Sequence, residues 1–392
     1  MPDVEGNAHW PREATGGIMP PMPPLRSRRT WIALDMAGCP NRCRHCWLGA
    51  LPNQRLYDKD LRWAVELFRD WVRPGEHAPF FQCVEAMTWW REPDYAPDYR
   101  YLWELERDLN GHAPMRFELL SIWRLARDES YASWAREVGT TGCQITVFGM
   151  EETHDWFVRR RGAFRDALLA TERVLAAGIR PRWQLFLTTR ILPELGKLLD
   201  LAQQMRLYER TEALGGEFQI FLHTPGPEGE AWHIEHLRPS VEDLARVPAE
   251  LVVSSQRYLG RSLGEAEGDL VAQLAEEEPS LPSVYGYPGN LGFYITSQCD
   301  VYPSIGLEPW WRLGNLRRDT LETIIGSFEE DRTLGLHVDY HVSAAELARR
   351  YGRRGSRLLY DAGDLKARWL RLWCEQDSDS VCLDGRDVEE RP

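Results

Sequence analysis

The chain has 392 residues, of which 43% are hydrophobic and 27% charged, and its formal net charge is −13. This length fits one large domain with a smaller second one, and the negative charge disfavours partners that need a basic face, namely nucleic acids and anionic membranes. No apolar run approaches the ~20 residues that span a bilayer, and the N-terminus lacks a secretory signal, so we expect a cytoplasmic protein whose cysteines are thiols or metal ligands.

The first part of the chain alternates predicted strands with predicted helices. Residues 1–29 are rich in Pro and Gly and predict a flexible arm. The apolar runs that follow predict six strands, at residues 31–36, 80–88, 116–122, 144–148, 182–188 and 217–223. Helical spacing of apolar residues predicts helices between them, at 58–72, 100–109, 129–138, 164–177 and 192–205. Repeated strand–helix units are typical of a parallel sheet, either open or curled into a barrel.

The pattern changes after this region. Residues 236–288 form a predicted helical and acidic linker that ends in a Pro/Gly-rich stretch. A short hairpin is predicted from Gly292–Thr296 and Val301–Tyr302, followed by a helix at Thr320–Phe328. Two charged amphipathic helices are predicted within Ala344–Trp373. We therefore divide the chain into an arm (1–29), a core (30–235), a linker (236–288), a small domain (289–335) and C-terminal helices with a tail (336–392).

Three cysteines lie close together directly after the first predicted strand. Cys39, Cys43 and Cys46 have the spacing C-x3-C-x2-C, which lets three thiolates converge on one metal centre. Iron–sulfur clusters usually take four cysteines, so a cluster held by three would leave one iron open for chemistry. His45 is a candidate fourth ligand, and a His/Cys zinc site or reduced thiols without metal are the alternatives.

This loop resembles the signature of the radical S-adenosylmethionine superfamily, in which the residue before the last cysteine is commonly aromatic, as His45 is here. The resemblance implies a partial (β/α)6 TIM-like barrel and a [4Fe-4S] cluster on Cys39, Cys43 and Cys46. It also implies that the open iron binds S-adenosylmethionine. One electron from an external reductant, such as flavodoxin or ferredoxin, would cleave that cofactor, and the 5′-deoxyadenosyl radical would abstract a hydrogen atom from the substrate.

Further motifs follow in the order that the family uses. Glu92, followed by Pro93, matches the carboxylate that binds the amino group of S-adenosylmethionine, although bulky residues replace the preceding glycines. Thr146 and Arg159 match, by position, contacts to the carboxylate of the cofactor. Ser121 matches a Ser/Thr position by placement alone. As alternatives, Glu92 is a surface carboxylate that starts a loop, and the run Arg159–Arg161 is a solvated helix start.

The small domain is similar to the SPASM or twitch type that follows the barrel in many radical enzymes, and it would form an α+β lid. Ser304 stands where those domains usually have a cysteine, and the other cysteines of the region are Cys299, Cys374 and Cys382. An auxiliary iron–sulfur cluster is therefore not expected. His223, at the end of the sixth predicted strand, is either an active-site residue or a core histidine.

Three functions remain open at this point. A small metabolite is the favoured substrate, because the first 30 residues cannot form the winged-helix domain that peptide-modifying relatives often carry. Radical modification of a peptide or protein is the first alternative. A zinc-stabilised α/β binding module without redox chemistry is the second.

Overall fold

The computed structural model describes residues 29–34, 39, 41–48, 55–87, 97–114, 119–276 and 292–377. Within them the strands are β1 Arg29–Leu34, β2 Cys83–Met87, β3 Gly142–Val147, β4 Arg180–Phe186, β5 Gln219–His223, β6 Glu265–Ala266, β7 Gly292–Ile295, β8 Asp300–Pro303, β9 Gly314–Asn315 and β10 Leu359–Tyr360. The α-helices are α1 Asp58–Asp70, α2 Tyr99–Asn110, α3 Ile122–Leu125, α4 Glu129–Glu137, α5 Glu151–Val158, α6 Ala163–Ala176, α7 Leu195–Gln204, α8 Leu207–Glu212, α9 Ala249–Leu259, α10 Glu267–Glu276, α11 Leu321–Glu329, α12 Leu334–His341, α13 Ala344–Tyr351 and α14 Ala362–Asp377. The predicted mixed α/β class is confirmed.

Helix α1 shows why these elements form where the apolar spacing predicts them. It buries Leu61, Ala64, Val65 and Phe68, which are separated by the three- and four-residue steps of one helix face. Phe68 packs against Phe293 of β7, with their ring centroids 5.5 Å apart, so this helix packs on the sheet that contains β7. None of the described helices is long and apolar enough to cross a membrane.

The strands of the first part are parallel and fall into two groups. β1 pairs with β2, with Ile32 opposite Ala86. β3, β4 and β5 form a second parallel sheet in that order. The predicted strand between the two groups, at 116–122, lies partly on residues 115–118, which are outside the described chain. A six-stranded partial barrel is therefore not confirmed, although parallel βα units are.

The prediction of a strand is wrong for residues 119–122. Ile122 begins the short helix α3, and Ser121 is its N-cap residue, fully buried. The Ser121 hydroxyl accepts a hydrogen bond from the backbone N–H of Arg124 over 3.2 Å. Serine favours this position because its side chain satisfies a helix N–H that has no partner within the helix.

The predicted C-terminal hairpin is confirmed, but it does not stand apart from the first strands. β7 and β8 are antiparallel, with Tyr294 opposite Tyr302. β7 also pairs in parallel with β1, with Ile32 opposite Phe293, so one sheet has the order β2-β1-β7-β8-β9. The region predicted as a small separate domain thus completes the sheet that carries the cysteine loop.

Candidate active site

The cysteine loop is held against the C-terminal end of α5. The backbone N–H of Arg44 donates to the carbonyl oxygen of Phe157 over 2.8 Å, and that of Arg42 donates to Val158 over 3.3 Å. The last carbonyls of a helix have no partner within the helix, so these bonds stabilise the helix end and the loop together. Arg159 ends the helix in the left-handed conformation, with φ 57°.

The three candidate metal ligands are partly accessible, and two of them share a turn. The N–H of Cys46 donates to the carbonyl oxygen of Cys43 over 3.1 Å, and Cys39, Cys43 and Cys46 are all half-buried. Across the described chain, no three Cys, His, Asp or Glu side chains are grouped as ligands of one metal ion. A four-iron cluster places each thiolate on a different iron, so an accessible loop of three thiols fits it.

His45 is an uncharged ring between two aromatic side chains. Its ring centroid lies 4.4 Å from that of Phe148 and 4.6 Å from that of Phe186. Burial, together with the neighbouring His154 and His223, lowers the pKa of His45 to about 3. Its Nδ1 atom is buried without a hydrogen-bond partner. The two ring contacts match the aromatic position expected from the sequence, whereas the unpartnered nitrogen does not distinguish this role from that of a metal ligand.

His223 lies on the same aromatic cluster. Its ring centroid is 5.6 Å from that of Phe186, which in turn contacts His45. Burial lowers the pKa of His223, and its Nδ1 is also buried without a hydrogen-bond partner. Of the two interpretations of this histidine, the structure favours a position beside the cysteine loop over an isolated place in the core.

Thr146 belongs to a polar row on one face of the second sheet. Its hydroxyl donates to Oε1 of Gln184 over 3.3 Å, and the side-chain amide of Gln144 donates to the same atom over 2.9 Å. The alternate residues Ile145 and Val147 are fully buried on the other face, in the core formed with the helices. Thr146 therefore faces away from that core, as a cofactor or substrate contact would.

Arg159 also lies at the loop. It forms an ion pair with Glu230 at 2.8 Å, and the N–H of Glu230 donates to the carbonyl oxygen of Cys46 over 2.9 Å. Glu230 and Phe186 were not singled out from the sequence, because no motif connects them to the cysteines. Glu92 lies outside the described residues, and Ser121 is the helix cap described above.

The remaining cysteines of the C-terminal region lie in the core. Cys299 is buried in the turn between β7 and β8, in the left-handed conformation with φ 67°. Burial raises the pKa of its thiol. Cys374 is buried in α14, and Cys382 is outside the described residues.

Comparison with solved structures identifies the fold. The structure of native anSMEcpe with bound AdoMet matches with a TM-score of 0.51 at 14% sequence identity, over 90% of this chain and 98% of that one. The chain has the fold of a radical S-adenosylmethionine (radical SAM) enzyme. Within this chain the cysteine loop follows β1, as the sequence predicts.

Two further radical SAM proteins are similar at a lower level. Streptococcus suis SuiB bound to its precursor peptide SuiA matches with a TM-score of 0.40 at 12% identity, over 86% of this chain and 70% of that one. Methylornithine synthase (PylB) matches with a TM-score of 0.28 at 14% identity, over 51% and 55%. At these scores neither adds to the fold assignment. No family model and no curated protein sequence match the chain.

Proposed function

We propose that the chain is a radical SAM enzyme that cleaves S-adenosylmethionine reductively and abstracts a hydrogen atom from a small metabolite. The observation that carries this proposal is the half-buried loop of Cys39, Cys43 and Cys46, held at the end of α5 beside Arg159 in a protein with this fold. The three thiolates would hold a [4Fe-4S] cluster. When bound, that cluster supplies the electron that splits the cofactor into methionine and a 5′-deoxyadenosyl radical.

The residues around the loop have distinct roles in this proposal. Arg159 offers a guanidinium for the carboxylate of the cofactor, and Thr146 offers a hydroxyl. The ring of His45, uncharged at neutral pH, would pack beside the cofactor and exclude water together with Phe148 and Phe186. Glu92 remains the proposed partner of the amino group of the cofactor, and Ser121, whose hydroxyl caps α3, remains a proposed contact.

A small polar molecule is the substrate class that the second parallel sheet favours. The polar row of Gln144, Thr146 and Gln184 provides hydrogen-bonding groups of the kind that orient a small polar molecule. A peptide substrate is the alternative that the test must exclude. A cytoplasmic location and an external flavodoxin- or ferredoxin-type reductant also remain predictions.

Anaerobic reconstitution with iron and sulfide tests the proposal. We expect a brown protein with about four irons per chain that forms 5′-deoxyadenosine from S-adenosylmethionine and dithionite, detected by mass spectrometry. Deuterium transfer from labelled candidate metabolites and peptides into that product would then identify the substrate class. One tightly bound zinc, no colour and no 5′-deoxyadenosine would contradict the proposal.

A further inference from the structure

The surface beside the cysteine loop carries positive charge, although the whole chain has a net charge of −13. Four arginines form it, and we call them the arginine face: Arg42, Arg44, Arg161 and Arg190. Arg161 follows Arg160, whose Nε donates to Oδ1 of Asn41 in the cysteine loop over 2.7 Å. Arg42 and Arg161 are exposed, and Arg44 and Arg190 are half-buried. Arg42 and Arg44 are in the cysteine loop itself, so the charge is located where a cluster would be bound.

Trp156 holds two of these side chains together. The guanidinium carbon of Arg44 lies 4.1 Å from the Trp156 ring centroid, and that of Arg190 lies 4.4 Å from the same centroid. The Nε of Arg44 also donates to the carbonyl oxygen of Trp156 over 3.1 Å. Two guanidinium groups therefore place their positive charges on one ring.

The neighbouring arginines pair with carboxylates, and the arginine face differs from them in the part of the chain that the structure describes. Ion pairs within 4.0 Å join Arg159 to Glu230, Arg160 to Asp166 and Arg165 to Glu151. Among the residues that the structure describes, none forms such a pair with a member of the arginine face. Glu230 acts on Arg44 only as a more distant charge. A concentrated positive surface of this kind attracts a negatively charged partner.

We propose that the arginine face is the docking surface for an acidic one-electron carrier protein. This inference rests on the proposed function, which requires an electron from outside the chain. A carrier bound here would stand against the loop of Cys39, Cys43 and Cys46. One electron would leave the reduced carrier and one would enter the cluster, with no proton transferred and no bond made or broken.

A charge-reversal variant separates docking from chemistry. The variant Arg42→Glu/Arg161→Glu changes two exposed side chains that the proposed function does not assign to cofactor binding. The matched control Arg318→Glu/Arg354→Glu makes the same change in net charge at two exposed arginines on other parts of the fold. Both variants should bind as much iron as the wild type.

The first readout is binding, measured by calorimetry with an oxidised acidic flavodoxin as the probe. We expect the dissociation constant of the wild type to rise steeply between about 50 and 500 mM salt, because screening weakens attraction between surface charges. At low salt the Arg42→Glu/Arg161→Glu variant should bind the probe about tenfold more weakly. The control should bind it within about twofold of the wild type.

The second readout compares two electron sources. The Arg42→Glu/Arg161→Glu variant should lose most 5′-deoxyadenosine formation with reduced flavodoxin and keep it with dithionite, which needs no docking surface. Equal effects of both variants, no binding by the wild type, or equal loss with both electron sources would overturn the inference. Equal loss with both sources would mean that the substitutions disturb the cluster or the cofactor site. A wild type that is inactive with dithionite would overturn the proposed function instead.

Discussion

The backbone N–H of Glu230 donates to the carbonyl oxygen of Cys46 over 2.9 Å, so a segment far along the chain fixes the last cysteine of the loop. The residue before it, Gly229, has φ +55°, and a Cβ there would lie 2.5 Å from the carbonyl oxygens of both Cys46 and Trp47. Only glycine permits this approach without moving the loop.

We therefore expect Gly229→Ala to displace the cysteine loop. The reconstituted variant should hold less than about half of the wild-type iron, because the loop must move to relieve a backbone contact. Iron analysis and 5′-deoxyadenosine formation provide the measurement. Gly215→Ala is the matched control, since Gly215 also has a positive φ, +78°, but a Cβ there meets nothing within 4 Å. Equal iron content in the two variants would contradict the role of Gly229.

Replacing Arg159 should weaken cofactor binding. A charge-assisted hydrogen bond stabilises by ~1.5–3 kcal/mol, so Arg159→Gln should raise the dissociation constant of S-adenosylmethionine tenfold or more. Equilibrium dialysis with the reconstituted protein measures this constant. Arg165→Gln removes a guanidinium that is 77% exposed and paired with Glu151, and it should change the constant little. An unchanged constant in Arg159→Gln would remove Arg159 from the proposed site.

His45→Phe distinguishes the cluster from the zinc alternative. The His45 ring is uncharged, lies between two phenylalanines and has a buried Nδ1 without a partner, so phenylalanine should fit there. We expect wild-type iron content and an unfolding temperature equal to or above that of the wild type. Cys46→Ala should lose the cluster. Loss of all bound metal in His45→Phe would instead identify the histidine as a ligand.

Asp364 should make the protein less stable as the pH rises. Its carboxylate accepts a hydrogen bond from the Thr224 hydroxyl over 3.2 Å, and burial raises its pKa from 3.8 to about 7. Between these values the folded state retains a proton that the unfolded chain releases, so this group lowers stability progressively from about pH 4 to pH 7. Well above pH 7 the carboxyl group is ionised in both states, and its destabilising effect no longer increases.

Asp364→Asn removes that titration. We expect the variant to be more stable than the wild type by up to ~4 kcal/mol at pH 8 and nearly equal to it at pH 4, as measured by urea unfolding. The control Asp108→Asn changes a carboxylate that is 57% exposed and should keep the pH dependence of the wild type. A constant difference between Asp364→Asn and the wild type at all pH values would rule out this cause.

Local patterns allowed much of the fold to be predicted. The helix predicted at 58–72 is α1 at Asp58–Asp70, and the strand predicted at 182–188 is β4 at Arg180–Phe186. Such segments are set by apolar periodicity within a few turns or pleats. The segment at Ser121 was mispredicted because a buried serine that caps a helix has the same apolar neighbours as a strand residue.

The sequence alone determined the cysteine triplet and the order of the βα units, because thiol spacing and periodicity are properties of neighbouring residues. Only the tertiary structure decided that β7 joins β1, that Phe148 and Phe186 enclose His45, and that Glu230 reaches both Cys46 and Arg159. Each of these contacts joins segments far apart in the chain. Their pairing depends on how the whole core packs, and no local pattern contains that information.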